Sequence, residues 1–231
     1  MKNYAFIFAR GGSKGLPRKN IKKLVGKPLI EYSIDTALDS PLISKVFVST
    51  DDSKIAEIAE KCGAIIINRP KELAEDESPE WLAWRHAINW VIEGYGDFDR
   101  FVSLPTTSPL RSIDDIQAAL SKINEKKADV CIAVTPASRS PYFNMVKHTD
   151  MGFLELVNKS ENEISRRQDA PKVFDITTVI YVASPTFILN SYGLFSGKLT
   201  SIEIPKERAV DIDDIYDFKL AESILLSNLN E

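Results

Sequence analysis

Residues 5–20, with the sequence AFIFARGGSKGLPRKN, combine a short apolar run with a glycine-rich, cationic loop. Gly11, Gly12 and Gly15 let backbone amides approach phosphate oxygens closely, and alternating φ signs there would form an anion-binding nest. Arg and Lys side chains can then neutralise phosphate charge. The polar and charged residues of the loop are Arg10, Ser13, Lys14, Arg18, Lys19 and Asn20. This pattern predicts a phosphate-binding loop; the alternative is a solvated basic loop whose glycines only make turns.

The charge distribution supports the first interpretation. Residues 1–30 contain eight Lys or Arg and no Asp or Glu, whereas the chain as a whole has a net charge of -4. Two common nucleotide motifs do not fit, because the spacing after Gly12 fails for GxxxxGK(S/T) and GxGxxG is absent. The sequence therefore supports neither a P-loop kinase nor a Rossmann dehydrogenase.

A second candidate site is the acidic run VDIDD, residues 210–214. In an extended segment Asp211 and Asp213 point to the same side, because strand side chains repeat every two residues. Mg²⁺ prefers oxygen ligands and is usually held by one or two carboxylates together with substrate phosphates and water. The alternative is that these aspartates cap the last helix, a role that Asp214 fits better. The pair Asp211 and Asp213 is thus a candidate Mg²⁺ site.

Three further positions could contribute to a site. LPTTSPLR, from Leu104, places hydroxyl groups and Arg111 after a strand, and we count Arg111 among the candidate binding residues. A proline turn leading into a helix is the alternative. Arg166, in an irregular charged segment with Glu163, could bind a carboxylate in bidentate fashion. A solvated loop explains that segment equally well. Arg69 follows a strand and could contact a base or ribose, or could belong to a plain turn.

The hydrophobic pattern predicts an α/β fold with a mainly parallel sheet flanked by helices. Chain leaving the carboxyl ends of such strands lies where these sheets bind ligands. The predicted strands are 4–8, 45–49, 64–67, 100–104, 129–134, 179–183 and about 201–204. The predicted helices are 28–38, a segment from Asp51 or Asp52 to Cys62, 79–92, 113–123, and a last one from about Ile215.

The chain is long enough for a single domain, residues 1–231, with a substantial core. Between residues 135 and 178 the alternation of helix and strand fails, and short antiparallel strands and loops are expected instead. We interpret this stretch as an inserted arm that either covers a substrate or reaches a second subunit, and the sequence leaves both open.

Several classes of protein are disfavoured. No run of 18 apolar residues and no signal peptide is recognisable, so neither membrane insertion nor export is expected, and we predict a cytoplasmic protein. Cys62 and Cys131 have apolar neighbours and are expected to be buried thiols. His86 and His148 are isolated, which disfavours a zinc site. The acidic remainder of the chain and the lack of aromatic interleaving disfavour nucleic-acid binding.

Taken in order, these segments resemble the acylneuraminate cytidylyltransferases, the enzymes that make CMP-activated sialic acid and related nonulosonates. The similarity runs nearly end to end. The matching stretches are ARGGSKGLPRKNI, STDD from Ser49, RPKELAED from Arg69, TSPLR from Thr107, RRQDAP from Arg166 and DIDD from Asp211. Such an ordered set is far more specific than any one stretch.

The resemblance implies a Rossmann-like nucleotide-diphospho-sugar transferase fold, a homodimer, CTP as substrate and Mg²⁺ as cofactor. It implies an enzyme of cell-surface polysaccharide biosynthesis that transfers CMP from CTP to the anomeric hydroxyl of a nine-carbon 2-keto sugar acid, releasing pyrophosphate. The implied nucleotide-binding residues are Arg10, Gly11, Gly12, Ser13, Lys14, Lys19, Asn20 and Arg69, and the implied sugar-binding residues are Lys147, Glu163, Arg166 and Tyr181. Asp211 and Asp213 match the metal-binding pair, and the expected catalytic residues are Arg10, Lys19 and Asp211.

The sequence departs from the family on the sugar side. Pro105 stands where many members have a glutamine, and Thr177 and Thr178 begin the stretch that often reads N-G-A-I-Y. Cytidylyl transfer is therefore a firmer expectation than N-acetylneuraminate as the acceptor. The alternatives are a 3-deoxy-manno-octulosonate cytidylyltransferase, another sugar nucleotidylyltransferase, or a non-catalytic module that binds nucleotides.

Overall fold

The computed structural model describes residues 1–159 and 164–229 and contains a seven-stranded sheet with helices on both faces. The strands are β1 Asn3–Phe8, β2 Lys23–Leu24, β3 Lys27–Pro28, β4 Lys45–Thr50, β5 Ile65–Asn68, β6 Arg100–Ser103, β7 Val130–Pro136, β8 Val146–His148, β9 Leu154–Leu156, β10 Phe174–Ala183 and β11 Leu199–Glu203. The helices are α1 Leu29–Leu38, α2 Ser53–Lys61, α3 Glu80–Tyr95, α4 Ile113–Lys126, α5 Pro185–Asn190 and α6 Ile215–Asn228. Single turns of 3-10 helix occur at Lys19–Ile21, Lys71–Leu73, Arg167–Asp169 and Leu194–Ser196.

The order of strands in the large sheet is β11-β7-β10-β6-β1-β4-β5. The pairs β1–β4, β1–β6, β4–β5 and β7–β11 are parallel, whereas β10 runs antiparallel to both β6 and β7. The predicted α/β fold with a mainly parallel sheet is therefore confirmed. The two small sheets, β2–β3 and β8–β9, are antiparallel.

The continuous apolar run of β1 is explained by burial on both faces. Ala5 and Ile7 belong to the core beneath α1, α2 and α4, whereas Tyr4 and Phe6 belong to an aromatic core with Trp84 of α3. Because neighbouring side chains on a strand point to opposite faces, a strand covered by helices on both sides has no polar alternation. β1 is thus a fixed central element from whose end the glycine-rich loop departs.

The order in which strands join the sheet reverses at β1. After β1 the chain adds β4 and β5 on one side, and later adds β6 on the other. Loops that leave the carboxyl ends of β1 and β6 therefore diverge and open a crevice, which is the usual place for ligands in such sheets. The glycine-rich loop and the LPTTSP turn lie on the two sides of this crevice.

The inserted segment differs from the prediction at both ends. β7 continues to Pro136, and β10 begins at Phe174, five residues before the predicted strand. The two strand ends pair with each other, Phe174 opposite Pro136. This extension has no burial alternation, since residues 174–176 are all exposed, so hydrophobic periodicity could not reveal it. We call residues 137–173 the arm, which includes the predicted antiparallel strands as the hairpin β8–β9.

Among the described residues, no helix is both long and apolar enough to cross a membrane.

Candidate active site

The loop after β1 is fixed from beneath by Asn20. This side chain is buried; its amide nitrogen donates to the carbonyl oxygen of Arg10 at 3.0 Å, and its amide oxygen accepts from the hydroxyl of Thr106 at 2.6 Å. Asn20 was expected to contact phosphate directly. In the structure both ends of its amide tie the loop to the LPTTSP turn, and Asn20 also lines the loop pocket, so its predicted contact with phosphate stays a prediction.

The loop glycines permit close contacts with other segments. The amide of Gly11 donates to a carboxylate oxygen of Asp51 at 3.0 Å. A Cβ atom at Gly15 would lie 2.3 Å from the carbonyl oxygen of Asp213, a distance that real Cβ atoms do not reach. The predicted anion-binding nest is wrong, because it requires alternating signs of φ at the loop glycines. Gly11, Gly12 and Gly15 do not have positive φ, and the residue of this loop that does is Arg18, at 54°. Glycine at position 15 is required by packing against the acidic segment.

Lys19 joins the basic loop to the acidic run near the other end of the chain. Its ammonium group donates to the carbonyl oxygen of Ile212 and lies 3.2 Å from a carboxylate oxygen of Asp213. The amide of Ile212 in turn donates to the carbonyl oxygen of Thr107 at 2.9 Å. Although 194 positions separate Lys19 from Asp213, the structure brings the cationic and acidic clusters to one place.

Asp211 has the features of a cation ligand. Its Oδ1 atom is buried and accepts no hydrogen bond from the residues that the structure describes. Burial raises the pKa of Asp211, and the charge of Asp213 raises it further, whereas hydrogen bonding to Thr107 and Thr178 and the charge of Lys19 oppose the shift. An unpartnered carboxylate oxygen next to a second carboxylate fits a hard divalent cation.

The third aspartate has the role that its position predicts. Asp214 is the N-cap of α6, where its carboxylate accepts from the amides of Tyr216 and Asp217, and Asp217 completes the capping box. Asp211 and Asp213 are therefore left for another function. Across the described residues there is no cluster of three or more His, Cys, Asp or Glu that could hold a metal. A cation bound here would need its remaining ligands from substrate or water, as is usual for Mg²⁺.

Three pockets adjoin at the carboxyl end of β1, and Phe8 lines all of them. The loop pocket, about 370 Å³, is lined by Arg10, Ser13, Lys14, Lys19, Thr106 and Asp213, among others. The Arg69 pocket, about 270 Å³, is lined by Arg10, Arg69, Leu73, Asp76, Ser78 and Glu80, among others. The Asp211 pocket, about 250 Å³, is lined by Glu80, Pro105, Thr107, Thr178, Tyr181 and Asp211, among others. Shared residues make the three pockets one crevice, of which the loop pocket carries most of the cations.

Arg69 forms the floor of its pocket. The guanidinium donates to the hydroxyl of Ser49 at 3.1 Å and to the carbonyl oxygen of Ser49 at 2.7 Å, and it stacks over the ring of Phe8 at 5.5 Å. Burial lowers the pKa of Arg69 to about 10, which leaves it cationic at neutral pH. A rigid, buried cation beside an aromatic ring suits recognition of a planar polar ligand group.

Arg111 has a different role from the predicted one. It is buried, and its guanidinium donates to the hydroxyl of Ser33 at 2.9 Å, to the carbonyl oxygen of Pro105 at 2.7 Å and to the carbonyl oxygen of Val179. Burial lowers its pKa to about 9. Arg111 lines none of the three pockets among the described residues, so it holds the turn at Pro105 against β10 and positions other side chains.

The remaining sugar-binding candidates divide into two groups. Tyr181 lines the Asp211 pocket, and burial raises the pKa of its phenol to about 12, so it remains a neutral donor. Lys147 and Arg166 lie on the arm, where Lys147 pairs with Glu155 at 3.5 Å and Arg166 makes a bidentate pair with Asp169 at 2.8 and 3.1 Å. Neither lines the three pockets among the described residues. Glu163 lies outside the described residues.

Phe8 and Asp76 were not identified from the sequence as site residues. Phe8 lines the crevice together with Thr107 and Thr178, which lie in stretches that the sequence did single out, and Asp76 contacts both Arg10 and Lys14. Phe8 and Thr107 follow or end strands at the ligand edge, so their position in the pattern was a usable signal. Asp76 lies within RPKELAED, but nothing in that stretch shows that it reaches the glycine-rich loop.

Comparisons with known proteins agree with this geometry. The model of the family described as Cytidylyltransferase matches residues 4–208. The chain is 36% identical over 97% of its length to the CMP-N,N'-diacetyllegionaminic acid synthase of Campylobacter jejuni, of which it covers 95%. It is 33% identical over 99% of its length to the pseudaminic acid cytidylyltransferase of the same species, of which it covers 98%.

Among solved structures, a CMP:2-keto-3-deoxy-manno-octonic acid synthetase complexed with CTP matches with a TM-score of 0.71. The match covers 99% of this chain and all of that one, at 16% identity. At that identity the likeness shows the fold alone, and it agrees with the nucleotidyltransferase fold that the sequence resemblance implies.

Proposed function

The chain belongs to the cytidylyltransferase family and is a nucleotidyltransferase, and from this premise we propose that it transfers CMP from CTP to the anomeric hydroxyl of a sialic acid-like nonulosonate, releasing pyrophosphate. The observation that carries the proposal is the meeting of Lys19 with Asp213, 3.2 Å apart, in one crevice. Phosphate-binding cations and cation-binding carboxylates are thereby directed at the same polyphosphate.

In this proposal the crevice is divided between the parts of the substrates. The nucleoside lies in the Arg69 pocket, the triphosphate lies along the loop pocket against Arg10, Ser13 and Lys14, and the sugar acid enters the Asp211 pocket near Tyr181. The reacting α-phosphorus then lies where the loop and Asp211 pockets share Thr107 and Asp213. Holding both reactants in line at that point removes much of the entropic barrier to their reaction.

Asp211 and Asp213 would hold Mg²⁺, whose chemistry when bound is to neutralise phosphate oxygens and to lower the pKa of a hydroxyl group. The other charge stabilisation comes from the chain itself. Arg10 and Lys19 face the side on which pyrophosphate leaves, and fixed cations aimed at developing charge lower the barrier of its departure.

The acceptor pocket favours a relative of sialic acid over N-acetylneuraminate itself. Two of the positions at which the sequence departs from the family, Pro105 and Thr178, line the Asp211 pocket, whereas Thr177, which replaces the asparagine, is buried beside it in β10. Pro105 offers no side-chain amide to a sugar hydroxyl or acyl group. We therefore propose an acceptor of the kind that the two Campylobacter relatives are named for, a legionaminate or a pseudaminate.

The proposal is tested by product analysis. The protein is incubated with CTP, Mg²⁺ and an equimolar mixture of N,N'-diacetyllegionaminate, pseudaminate, N-acetylneuraminate and 3-deoxy-manno-octulosonate, and products are identified by mass spectrometry. We expect a CMP adduct of one of the first two sugars and at least about tenfold less of the others, the discrimination that one lost hydrogen bond supplies. Parallel reactions with ATP, GTP and UTP are controls. A CMP adduct of 3-deoxy-manno-octulosonate alone, or binding of CTP with no product, would contradict the proposal.

We also propose a homodimer in which the arm meets a second copy of the chain. Phe153 and Leu154 of the arm are 68% and 60% exposed, and among the described residues Lys147 and Arg166 do not line the crevice of their own chain. A dimer would bury Phe153 and Leu154 and bring Lys147 and Arg166 to the partner's crevice.

We also propose that the enzyme acts in the cytoplasm, because CTP is made there. It would supply an activated sugar for the synthesis of cell-surface polysaccharide.

A further inference from the structure

Asp76 lies between the two cations of the glycine-rich loop. One of its carboxylate oxygens is 2.7 Å from Nη1 of Arg10, and the other is 3.0 Å from Nζ of Lys14. Arg10 also donates to the carbonyl oxygen of Ala74 at 3.4 Å. The segment between the 3-10 turn at Lys71–Leu73 and α3 is thus attached to the loop through its charges.

This contact uses the same groups that a polyphosphate requires. Arg10 and Lys14 both line the loop pocket, and Asp76 lines the adjoining Arg69 pocket. A carboxylate that spans two cations with its two oxygens presents them with the same geometry as two oxygens of a phosphate group. Asp76 and a bound triphosphate cannot both keep these contacts at full strength.

We infer that Asp76 is an internal competitor for polyphosphate: its carboxylate holds Arg10 and Lys14 until CTP displaces it, and returns to them as pyrophosphate leaves. This inference rests on the proposed function and adds to it a residue that sets the affinity for the phosphate chain. No bond is made or broken in the exchange, which replaces one set of ion pairs with another.

The exposure of the three groups explains why the exchange is feasible. The side chains of Asp76, Arg10 and Lys14 are 45%, 32% and 67% exposed. Solvent therefore weakens both ion pairs. A triphosphate carries several charges and displaces a single carboxylate in such a setting.

The opposite role for Asp76 gives the opposite result. If Asp76 stayed in contact with Arg10 and Lys14 after binding and only held them in place, neutralising it would free the cations to move and weaken nucleotide binding. The sign of the change in affinity therefore separates a competitor from a structural support.

The test compares Asp76→Asn with Glu77→Gln, which removes the same charge from the next residue of the segment. Glu77 is exposed and has no ion pair among the described residues. Binding of inorganic pyrophosphate, and separately of CTP, is measured by titration calorimetry without sugar. We expect Asp76→Asn to bind both about three- to tenfold more tightly than wild type, the effect of two partly exposed ion pairs, and Glu77→Gln to differ by less than about twofold.

Steady-state kinetics provide a second readout. With the preferred sugar saturating, Asp76→Asn should lower KM for CTP and strengthen product inhibition by pyrophosphate, whereas a general loss of structure would raise KM. Weaker binding by Asp76→Asn, or binding equal to that of Glu77→Gln, would overturn the inference and leave the proposed function intact. A wild-type protein that binds neither CTP nor pyrophosphate would overturn both.

Discussion

At Asp211 a buried carboxylate oxygen has no hydrogen-bond donor among the described residues, and a second carboxylate lies two positions along the chain. Such an arrangement destabilises a folded protein unless a cation compensates it, because burial and like charge both disfavour the ionised form. Asp211 is therefore a residue that the fold tolerates for its function.

Replacing Asp211 should separate activity from stability. Asp211→Asn should lower kcat by about 100- to 1000-fold, the loss typical of removing one preorganised charge partner. The same variant should be at least as stable as wild type, since it removes a charge that burial and the neighbouring Asp213 disfavour. Asp214→Asn is the matched control: asparagine caps a helix as well as aspartate does, so neither activity nor stability should change much.

The pH dependence of this effect has a defined sign. Because burial raises the pKa of Asp211 in the folded protein, the folded carboxyl keeps its proton at pH values where the unfolded one, with a pKa of about 3.9, has lost it. The contribution of Asp211 to stability therefore falls as pH rises above about 4. Thermal denaturation of wild type and Asp211→Asn is measured between pH 4 and 8. As pH rises, Tm of the variant should increase relative to Tm of wild type, and the difference should then become constant. Activity of Asp211→Asn within tenfold of wild type, or a Tm difference that shrinks with pH, would contradict this account.

Residue types and spacing predicted which segments meet in the crevice better than they predicted which side chains line it. Alternation along VDIDD distinguished Asp211 and Asp213 from the capping Asp214, as the structure shows. Arg111 has the same chemical signature as an exposed binding residue, yet it is buried and bonded to the chain. Burial depends on segments far away in sequence, which no local pattern contains.

At the scale of elements, the site depends on contact between the glycine-rich loop and the acidic run before α6. The space for a Cβ atom at Gly15 is occupied by the carbonyl oxygen of Asp213, at 2.3 Å, and the salt bridge of Lys19 with Asp213 spans the same junction. A side chain at position 15 would push the two segments apart and separate the cations from the carboxylates.

Gly15→Ala should therefore lower kcat/KM by about 10- to 100-fold, the effect of displacing catalytic groups by about an ångström. Gly12→Ala is the matched variant from the same loop, because a Cβ atom there would meet no described atom within 4 Å, and its loss should be several-fold smaller. Circular dichroism and Tm show whether each variant keeps the fold. Equal losses in the two variants would indicate that the junction is not under steric constraint.

The sequence predicted strands that are buried on both faces and helices that are buried on one face. The buried runs of β1, β4 and β7 and the periodic pattern of α2 are examples, and Asp52 caps α2 as expected. The early start of β10 and the short helix α5 were missed. The first half of β10 is exposed, and α5 has six residues, too few for a helical period to be recognised.

At the scale of the whole molecule, the arm exposes apolar side chains that contacts within its own chain do not cover. Met151, Phe153 and Leu154 are 81%, 68% and 60% exposed, close together near the tip of the β8–β9 hairpin. A concentration of exposed apolar side chains marks an interaction surface. The proposed homodimer accounts for this surface and for the position of Arg166.

Leu154→Glu should convert the protein from dimer to monomer, because an unpaired charge buried in an interface costs about 3 to 5 kcal/mol, more than a hundredfold in the dissociation constant. Leu220→Glu makes the same replacement at a residue of α6 that is 52% exposed, and it should remain dimeric. Molar mass is measured by light scattering coupled to size-exclusion chromatography.

If arm residues complete the partner's crevice, Leu154→Glu should also lose activity with sugar while still binding CTP, since the Arg69 and loop pockets are lined by residues of one chain. A monomeric wild type at assay concentration, or a monomeric Leu154→Glu with full activity, would show that each crevice is complete without a partner.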